Sequence, residues 1–115
     1  MLYLCCDLHA HPLPQADLDA LAAPWLTDAG APAFWRQFAL ADEAYTAKIE
    51  SDYGHIRCPV TVLWGEDDPW IPLDRGHALA RATGTTLVPL AGLGHLPQLE
   101  NPDMVVAAAL PALAA

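Results

Sequence analysis

The chain has 115 residues, enough for one domain, and carries a net charge of −9. Hydrophobic residues make up 54% of it and charged residues 17%, a balance that excludes an intrinsically disordered chain. The negative charge argues against binding to nucleic acid or to an anionic membrane surface, because both attract cationic proteins.

The cysteines and the N-terminal residues indicate a cytoplasmic protein. The cysteines, Cys5, Cys6 and Cys58, are odd in number and two are adjacent, which excludes a disulfide framework and fits a reducing cytosol. The first residues lack the basic segment and apolar run of a secretion signal, and no stretch approaches the length of a membrane span. We therefore expect a soluble, cytoplasmic chain.

The first half of the sequence predicts short helices rich in aromatic residues. The first helix begins at Asp17, a suitable N-cap, and ends at Pro24. A turn follows, and the apolar spacing predicts a second helix over residues 32–40 and a third over residues 42–56.

The second half of the sequence predicts the order β-α-β-α. Apolar strands are expected at residues 59–65 and 86–90, with a helix over residues 72–82 between them. Asn101 precedes a first-turn proline and acid and should cap a final helix, which Pro111 should break. Two strands make a marginal sheet, so the pattern indicates part of a larger one.

An acid and a histidine follow the two predicted strands. Strands joined by a helix usually run parallel, so their C-terminal ends share one edge of the sheet, where ligands bind in open α/β sheets. Asp68 comes just after the first strand and His95 just after the second, with Asp67 as the alternative acid. A carboxylate bonded to one ring nitrogen orients a histidine that acts as general base.

Residues 59–72 and 92–102 resemble the C-terminal part of the α/β-hydrolase fold. In that family the acid of the catalytic triad ends a Gly-x-x-Asp pattern after a late strand, and the base lies in a Gly-His loop after the last strand. Gly65-Glu-Asp-Asp68 and Gly94-His95 match these two motifs. The resemblance implies a partial α/β-hydrolase fold in which Asp68 is the triad acid and His95 the base.

The resemblance also implies two parts in the chain. Residues 1–57 are similar to the helical cap of dehalogenase-like and epoxide-hydrolase-like members, on the strength of residues 23–25 and 33–38. Residues 58–115 would be the C-terminal part of the hydrolase core.

The nucleophile elbow of the family, Gly-x-Nuc-x-Gly, is missing. No two glycines are four residues apart, and Ser51, the only serine, lies in a polar helical segment. We therefore expect the C-terminal portion of a hydrolase acting on an ester, halide or epoxide, with its nucleophile elsewhere, so the resemblance alone does not make this chain an enzyme. One alternative is a non-catalytic remnant that binds a partner or self-associates through open strand edges. Another is a small esterase that uses water directly.

Other residues have weaker assignments. Glu100 could cap a helix or pair locally, and the spacing of His9 and His11 near Cys5 and Cys6 fits no zinc site, so no metal and no cofactor are expected. The expected partner is a small-molecule substrate, provided that an N-terminal half completes the fold. Candidate residues for its pocket are Trp70, Leu96, Trp25 and Trp35.

Overall fold

The computed structural model describes residues 8–114; the expectations for Cys5 and Cys6 lie outside this range. Within this range a helical segment is followed by a parallel two-stranded sheet with a helix on each face.

The helical segment opens with two helices and a tight turn. Helix α1 spans Gln15–Ala22, a 3₁₀ turn spans Ala23–Leu26, and helix α2 spans Gly30–Ala39. Leu18 and Ala22 of α1 are buried, whereas Leu21 is 37% exposed. The predicted start at Asp17 is wrong, because Pro14 precedes the helix and Asp17 lies in its first turn.

The third predicted helix, over residues 42–56, is wrong as a continuous element. The structure has a single helical turn, α3, at Ala44–Ala47 and a separate 3₁₀ helix at Glu50–His55. All residues from 41 to 52 are exposed, so this stretch has no buried face to stabilise a long helix. Gly54 and the short polar residues before it also have low helix propensities.

The sheet confirms the predicted parallel pairing. Strand β1, Val62–Gly65, pairs in parallel with strand β2, Leu87–Leu90, so that Gly65 lies beside Leu90 at the C-terminal edge. Helix α4, Leu73–Ala82, connects them. A Cβ atom at Gly76 of α4 would lie 2.6 Å from Leu87 and 2.8 Å from Trp64, so glycine allows the helix to pack closely on this face of the sheet.

Two further helices follow the second strand. Helix α5 is the short Pro97–Glu100, and helix α6 is Pro102–Leu113. The side chain of Asn101 accepts a hydrogen bond from Met104 N at 3.0 Å, which confirms the predicted cap. The predicted break at Pro111 is wrong, because α6 continues through it. Pro111 lies in the last turn, so few helical hydrogen bonds depend on it.

The sheet has little core of its own. Leu90, Ala80 and Val62 are buried, but Val106, Leu110 and Leu113 of α6 are 53%, 57% and 81% exposed. Within residues 8–114 no third strand joins β1 or β2. This architecture agrees with the predicted partial α/β fold.

None of the helices within residues 8–114 combines the length and apolar character needed to cross a membrane.

Candidate active site

The candidate site lies at the C-terminal edge of the sheet, where two loops follow the paired strands. We call residues 66–71 the acid loop and residues 91–96 the histidine loop. Two backbone hydrogen bonds join them at their bases, from Glu66 N to Leu90 O and from Asp67 N to Leu93 O. The parallel pairing therefore brings together loops that are separated in sequence by a helix and a strand.

The two predicted residues meet between these loops. His95 Nδ1 lies 2.9 Å from Asp68 Oδ2 across a separation of 27 residues. The other carboxylate oxygen, Asp68 Oδ1, accepts hydrogen bonds from the backbone N–H groups of Trp70 at 2.8 Å and Ile71 at 2.9 Å. The Asp68 side chain is 4% exposed, whereas Asp67 is exposed to solvent. The structure thus places Asp68, and not Asp67, beside the histidine.

The hydrogen bonds of Asp68 keep its carboxylate ionised. Burial is the largest single influence and raises the pKa of Asp68, but the hydrogen bonds from Ile71, His95 and Trp70 together lower this pKa below the ordinary value of 3.8. An ionised carboxylate can only accept hydrogen bonds. His95 Nδ1 therefore donates to Asp68, which leaves Nε2 of the neutral ring as a proton acceptor.

The lowered pKa of Asp68 predicts a pH dependence of stability. Aspartate in an unfolded chain has a pKa of about 3.9, so the Asp68 carboxylate binds a proton less readily in the folded state than in the unfolded state. Its contribution to the free energy of unfolding is therefore present above that pKa and lost as the pH falls through the lower folded-state pKa. Urea unfolding at a series of pH values, followed by tryptophan fluorescence, should show a shallower acid loss for Asp68→Asn than for the wild type.

Asp67→Asn is the matched control for this pH series. The Asp67 side chain is exposed and makes no hydrogen bond within residues 8–114, so this variant should follow the wild-type pH curve. Equal acid slopes in the wild type and Asp68→Asn would show that Asp68 makes no such contribution.

The second ring nitrogen of His95 is left accessible. Within residues 8–114, His95 Nε2 has no hydrogen-bond partner, and the side chain is 21% exposed. The Trp70 ring lies against the imidazole, with centroids 4.8 Å apart, and is itself 52% exposed. A base with an accessible nitrogen and an apolar neighbour is an arrangement that can take a proton from a bound molecule.

The remaining predicted pocket residues are divided between two regions. Leu96 follows His95 directly and is half-buried. Trp25 and Trp35 lie in the helical segment, where both rings contact Phe34 with centroids 5.5 Å apart. Within the described part of the chain, no aromatic contact joins either ring to His95. Trp70 contacts the His95 ring, and Leu96 is its neighbour in the histidine loop.

Two buried residues beside the site had no functional assignment from sequence. The Glu100 carboxyl group accepts hydrogen bonds from Gly94 N at 2.9 Å and from Ala10 N at 3.1 Å. His9 Nδ1 lies 3.3 Å from Glu100 Oε1, and these two side chains are 1% and 2% exposed. His9 is therefore buried, although it lies in an irregular segment, and Glu100 pairs with distant residues as well as with the nearby loop. The sequence shows that Glu100 lies five residues after His95, but no sequence pattern indicates its partners near residue 10.

The buried imidazole of His9 is incompletely paired. Its Nε2 atom is buried and has no hydrogen-bond partner within residues 8–114. Nor does this part of the chain contain a group of three or more His, Cys, Asp and Glu side chains that could hold a metal ion.

The histidine loop fits closely between the end of β1 and residues 8–10. A Cβ atom at Gly94 would lie 2.5 Å from Ala10 N and 2.9 Å from Glu100 Oε1. One at Gly65 would lie 2.0 Å from Gly94 O. Glycine is therefore required at both positions because the neighbouring backbone approaches too closely for any side chain.

We expect Gly94→Ala to lower the free energy of unfolding by about 1–3 kcal/mol, the usual cost of overpacking. Urea unfolding of the 115-residue chain measures it. The control is Gly54→Ala, because a Cβ atom there would meet nothing within 4 Å. Similar midpoints for both variants would contradict the close packing of Gly94.

Comparison with known proteins identifies similar sequences and structures. The sequence model of the alpha/beta hydrolase family matches residues 6–109. The chain is similar to an alpha/beta hydrolase fold protein from Burkholderia ambifaria whose crystal structure is known, with 41% sequence identity and a TM-score of 0.88. The similarity covers 96% of this chain and 41% of that one, so this chain spans less than half the length of that protein. No curated protein matches the chain significantly.

Proposed function

Because the chain belongs to the alpha/beta hydrolase family, we propose that it is the C-terminal part of a hydrolase in which His95 is the general base and Asp68 orients it. The observation that carries this proposal is the 2.9 Å hydrogen bond between His95 Nδ1 and Asp68, with His95 Nε2 left accessible. The nucleophile comes from a segment outside these 115 residues, since the sequence has no elbow motif.

The role of His95 depends on that nucleophile. With a serine, His95 Nε2 takes the hydroxyl proton as the oxygen attacks an ester carbonyl, and the imidazolium is stabilised by the Asp68 carboxylate. With an aspartate, the carboxylate displaces a halide or opens an epoxide, and His95 then activates the water that hydrolyses the covalent ester. Asp68 has the same function in both cases.

The two predicted parts of the chain have separate functions in this proposal. Residues 1–57 form the cap, and residues 58–115 form part of the core that carries the acid and the base. The substrate is a small molecule held between them once the front half is present. Its apolar contacts come from Trp70, Leu96, Trp25 and Trp35.

A chimera tests the proposal. In the Burkholderia ambifaria protein, the part similar to this chain is replaced by residues 1–115, which completes the fold with a natural front half. We expect the chimera to turn over at least one of an activated ester, a haloalkane and an epoxide, and the isolated chain to turn over none. A folded chimera inactive on all three, beside an active parent protein, would contradict the proposal.

Self-association is the second candidate function, and the open sheet favours it. Within residues 8–114 the outer edges of β1 and β2 have no strand partner, and α6 exposes large apolar side chains. The isolated chain would then bind a second copy through these surfaces. Light scattering after size-exclusion chromatography should give a dimer or larger species, and a monomer at every concentration would exclude this candidate.

A further inference from the structure

The backbone before His95 is held from two sides. His95 N donates to Leu8 O at 2.8 Å, and Gly94 N donates to the Glu100 carboxyl group, with 2.9 Å to Oε1 and 3.0 Å to Oε2. These two adjacent N–H groups set the direction in which the His95 side chain leaves the backbone. A tilt of this peptide would move the imidazole away from Asp68.

Glu100 joins the histidine loop to a segment far away in sequence. Its Oε2 atom also accepts from Ala10 N, at 3.1 Å across 90 residues. The Glu100 side chain is 2% exposed, so water cannot replace these hydrogen bonds without opening the structure. Glu100 is the last residue of α5, but it does not cap α6, because Asn101 does so.

We infer that Glu100 is a positioning residue for His95. Its carboxyl group ties Gly94 N to Ala10 N and thereby holds the imidazole in line with Asp68 Oδ2. This inference rests on the proposed function of His95, and it adds a third side chain whose effect on the base is exerted through the backbone. Glu100 itself touches neither ring nitrogen of His95.

A glutamine at position 100 can keep only part of these bonds, which gives a graded pair of variants. In Glu100→Gln the amide oxygen can take the place of Oε2 and accept from both Gly94 N and Ala10 N. The amide N–H₂ then takes the place of Oε1, where it can donate to His9 Nδ1 at 3.3 Å but also faces the Gly94 N–H at 2.9 Å, donor against donor. Glu100→Gln therefore weakens the hold on Gly94 without removing it. Glu100→Ala removes every one of these acceptors. Glu66→Ala is the matched control, since the Glu66 side chain is exposed.

The test uses the 115-residue chain labelled with ¹⁵N at histidine, and the His95 signal is assigned by its loss in His95→Gln. In the wild type and Glu66→Ala we expect a slowly exchanging Nδ1–H proton on His95, and in Glu100→Gln an exchange rate between theirs and that of Glu100→Ala. In folded Glu100→Ala we expect this proton to exchange at least about tenfold faster, because the loop opens locally. An unchanged Nδ1–H in folded Glu100→Ala, or faster exchange in folded Glu100→Gln than in folded Glu100→Ala, would overturn the inference.

A measurement on the wild type covers the case in which Glu100→Ala does not fold. The Gly94 amide lies in a loop, yet it should exchange as slowly as amides of the β1–β2 ladder, because Glu100 accepts its proton. Rapid exchange of this amide would overturn the inference without any variant.

The same variants in the chimera separate this inference from the proposed function. If both hold, Glu100→Ala lowers kcat with little change in KM, and Glu100→Gln has a kcat between those of Glu100→Ala and the wild type. If the chimera is inactive throughout while the NMR results are as expected, the positioning of His95 stands and the proposed hydrolase function fails. If the chimera is active and Glu100→Ala leaves both kcat and the His95 proton unchanged, the inference fails alone.

Discussion

Replacing His95 with alanine in the chimera is expected to lower kcat by roughly 10⁴- to 10⁶-fold, the range found when the base of a hydrolytic triad is removed. Alanine cannot accept a proton at the position of Nε2. The other imidazole bonded to a carboxylate near this loop, His9 with Glu100, has a side chain that is only 1% exposed and so does not reach a bound molecule. Steady-state turnover of whichever substrate the chimera accepts measures the effect.

His77→Ala is the control for this substitution. His77 is an exposed residue of α4, so its removal changes the number of histidines without altering the site. The control should retain wild-type turnover. A His95→Ala chimera that is folded and retains a tenth or more of the wild-type kcat would remove His95 from the mechanism.

The His95→Ala chimera also distinguishes a serine nucleophile from an aspartate nucleophile. With a serine nucleophile, loss of the base blocks the first covalent step, so intact mass spectrometry should find no adduct. With an aspartate nucleophile, the first step does not need His95, and the covalent ester should accumulate because its hydrolysis is blocked. The mass of the protein after exposure to substrate therefore reports the chemistry.

Replacing Asp68 with asparagine is expected to lower kcat by roughly 10³- to 10⁴-fold. Asp68 Oδ1 accepts from Trp70 N and Ile71 N, so the asparagine carbonyl should occupy that position and keep the acid loop intact. The amide N–H₂ then faces His95 Nδ1 and donates to it. This arrangement forces the proton of the neutral imidazole onto Nε2, which can no longer act as a base.

Two measurements check this explanation. In the isolated chain, the ¹⁵N signals of His95 should change from the Nδ1–H tautomer to the Nε2–H tautomer in Asp68→Asn. In the chimera, kcat should fall as stated, whereas Asp67→Asn should behave as the wild type. Asp68→Asn with wild-type kcat and an unchanged tautomer would assign the acid role elsewhere.

Local patterns were sufficient to predict the framework of the site. The apolar runs around β1 and β2 and the helix between them implied parallel strands, and that topology places the residues after both strands at one edge. The prediction that an acid and His95 meet there is confirmed by their 2.9 Å contact. The cap of α6 at Asn101 was predictable for the same reason, because caps involve residues three positions apart.

Two of the predictions of local structure that failed did so for different reasons, one because of tertiary packing and one because of position within a helix. Residues 42–56 have helical spacing, but with residues 41–52 exposed nothing packs against them to stabilise one long helix. Pro111 has the chemistry of a helix breaker, yet its position in the last turn of α6 makes it tolerable.

By itself, the sequence determined the order of strand, acid loop, helix, strand and histidine loop, and with it the pairing of an acid with His95. These features follow from periodicity and from residues near one another in the chain. Only the tertiary structure decided that Asp68 rather than Asp67 is the partner, because one residue along a turn reverses the direction of a side chain. It alone also placed Glu100 against residues 9 and 10, since contacts across about 90 residues depend on how the whole chain folds and leave no local pattern.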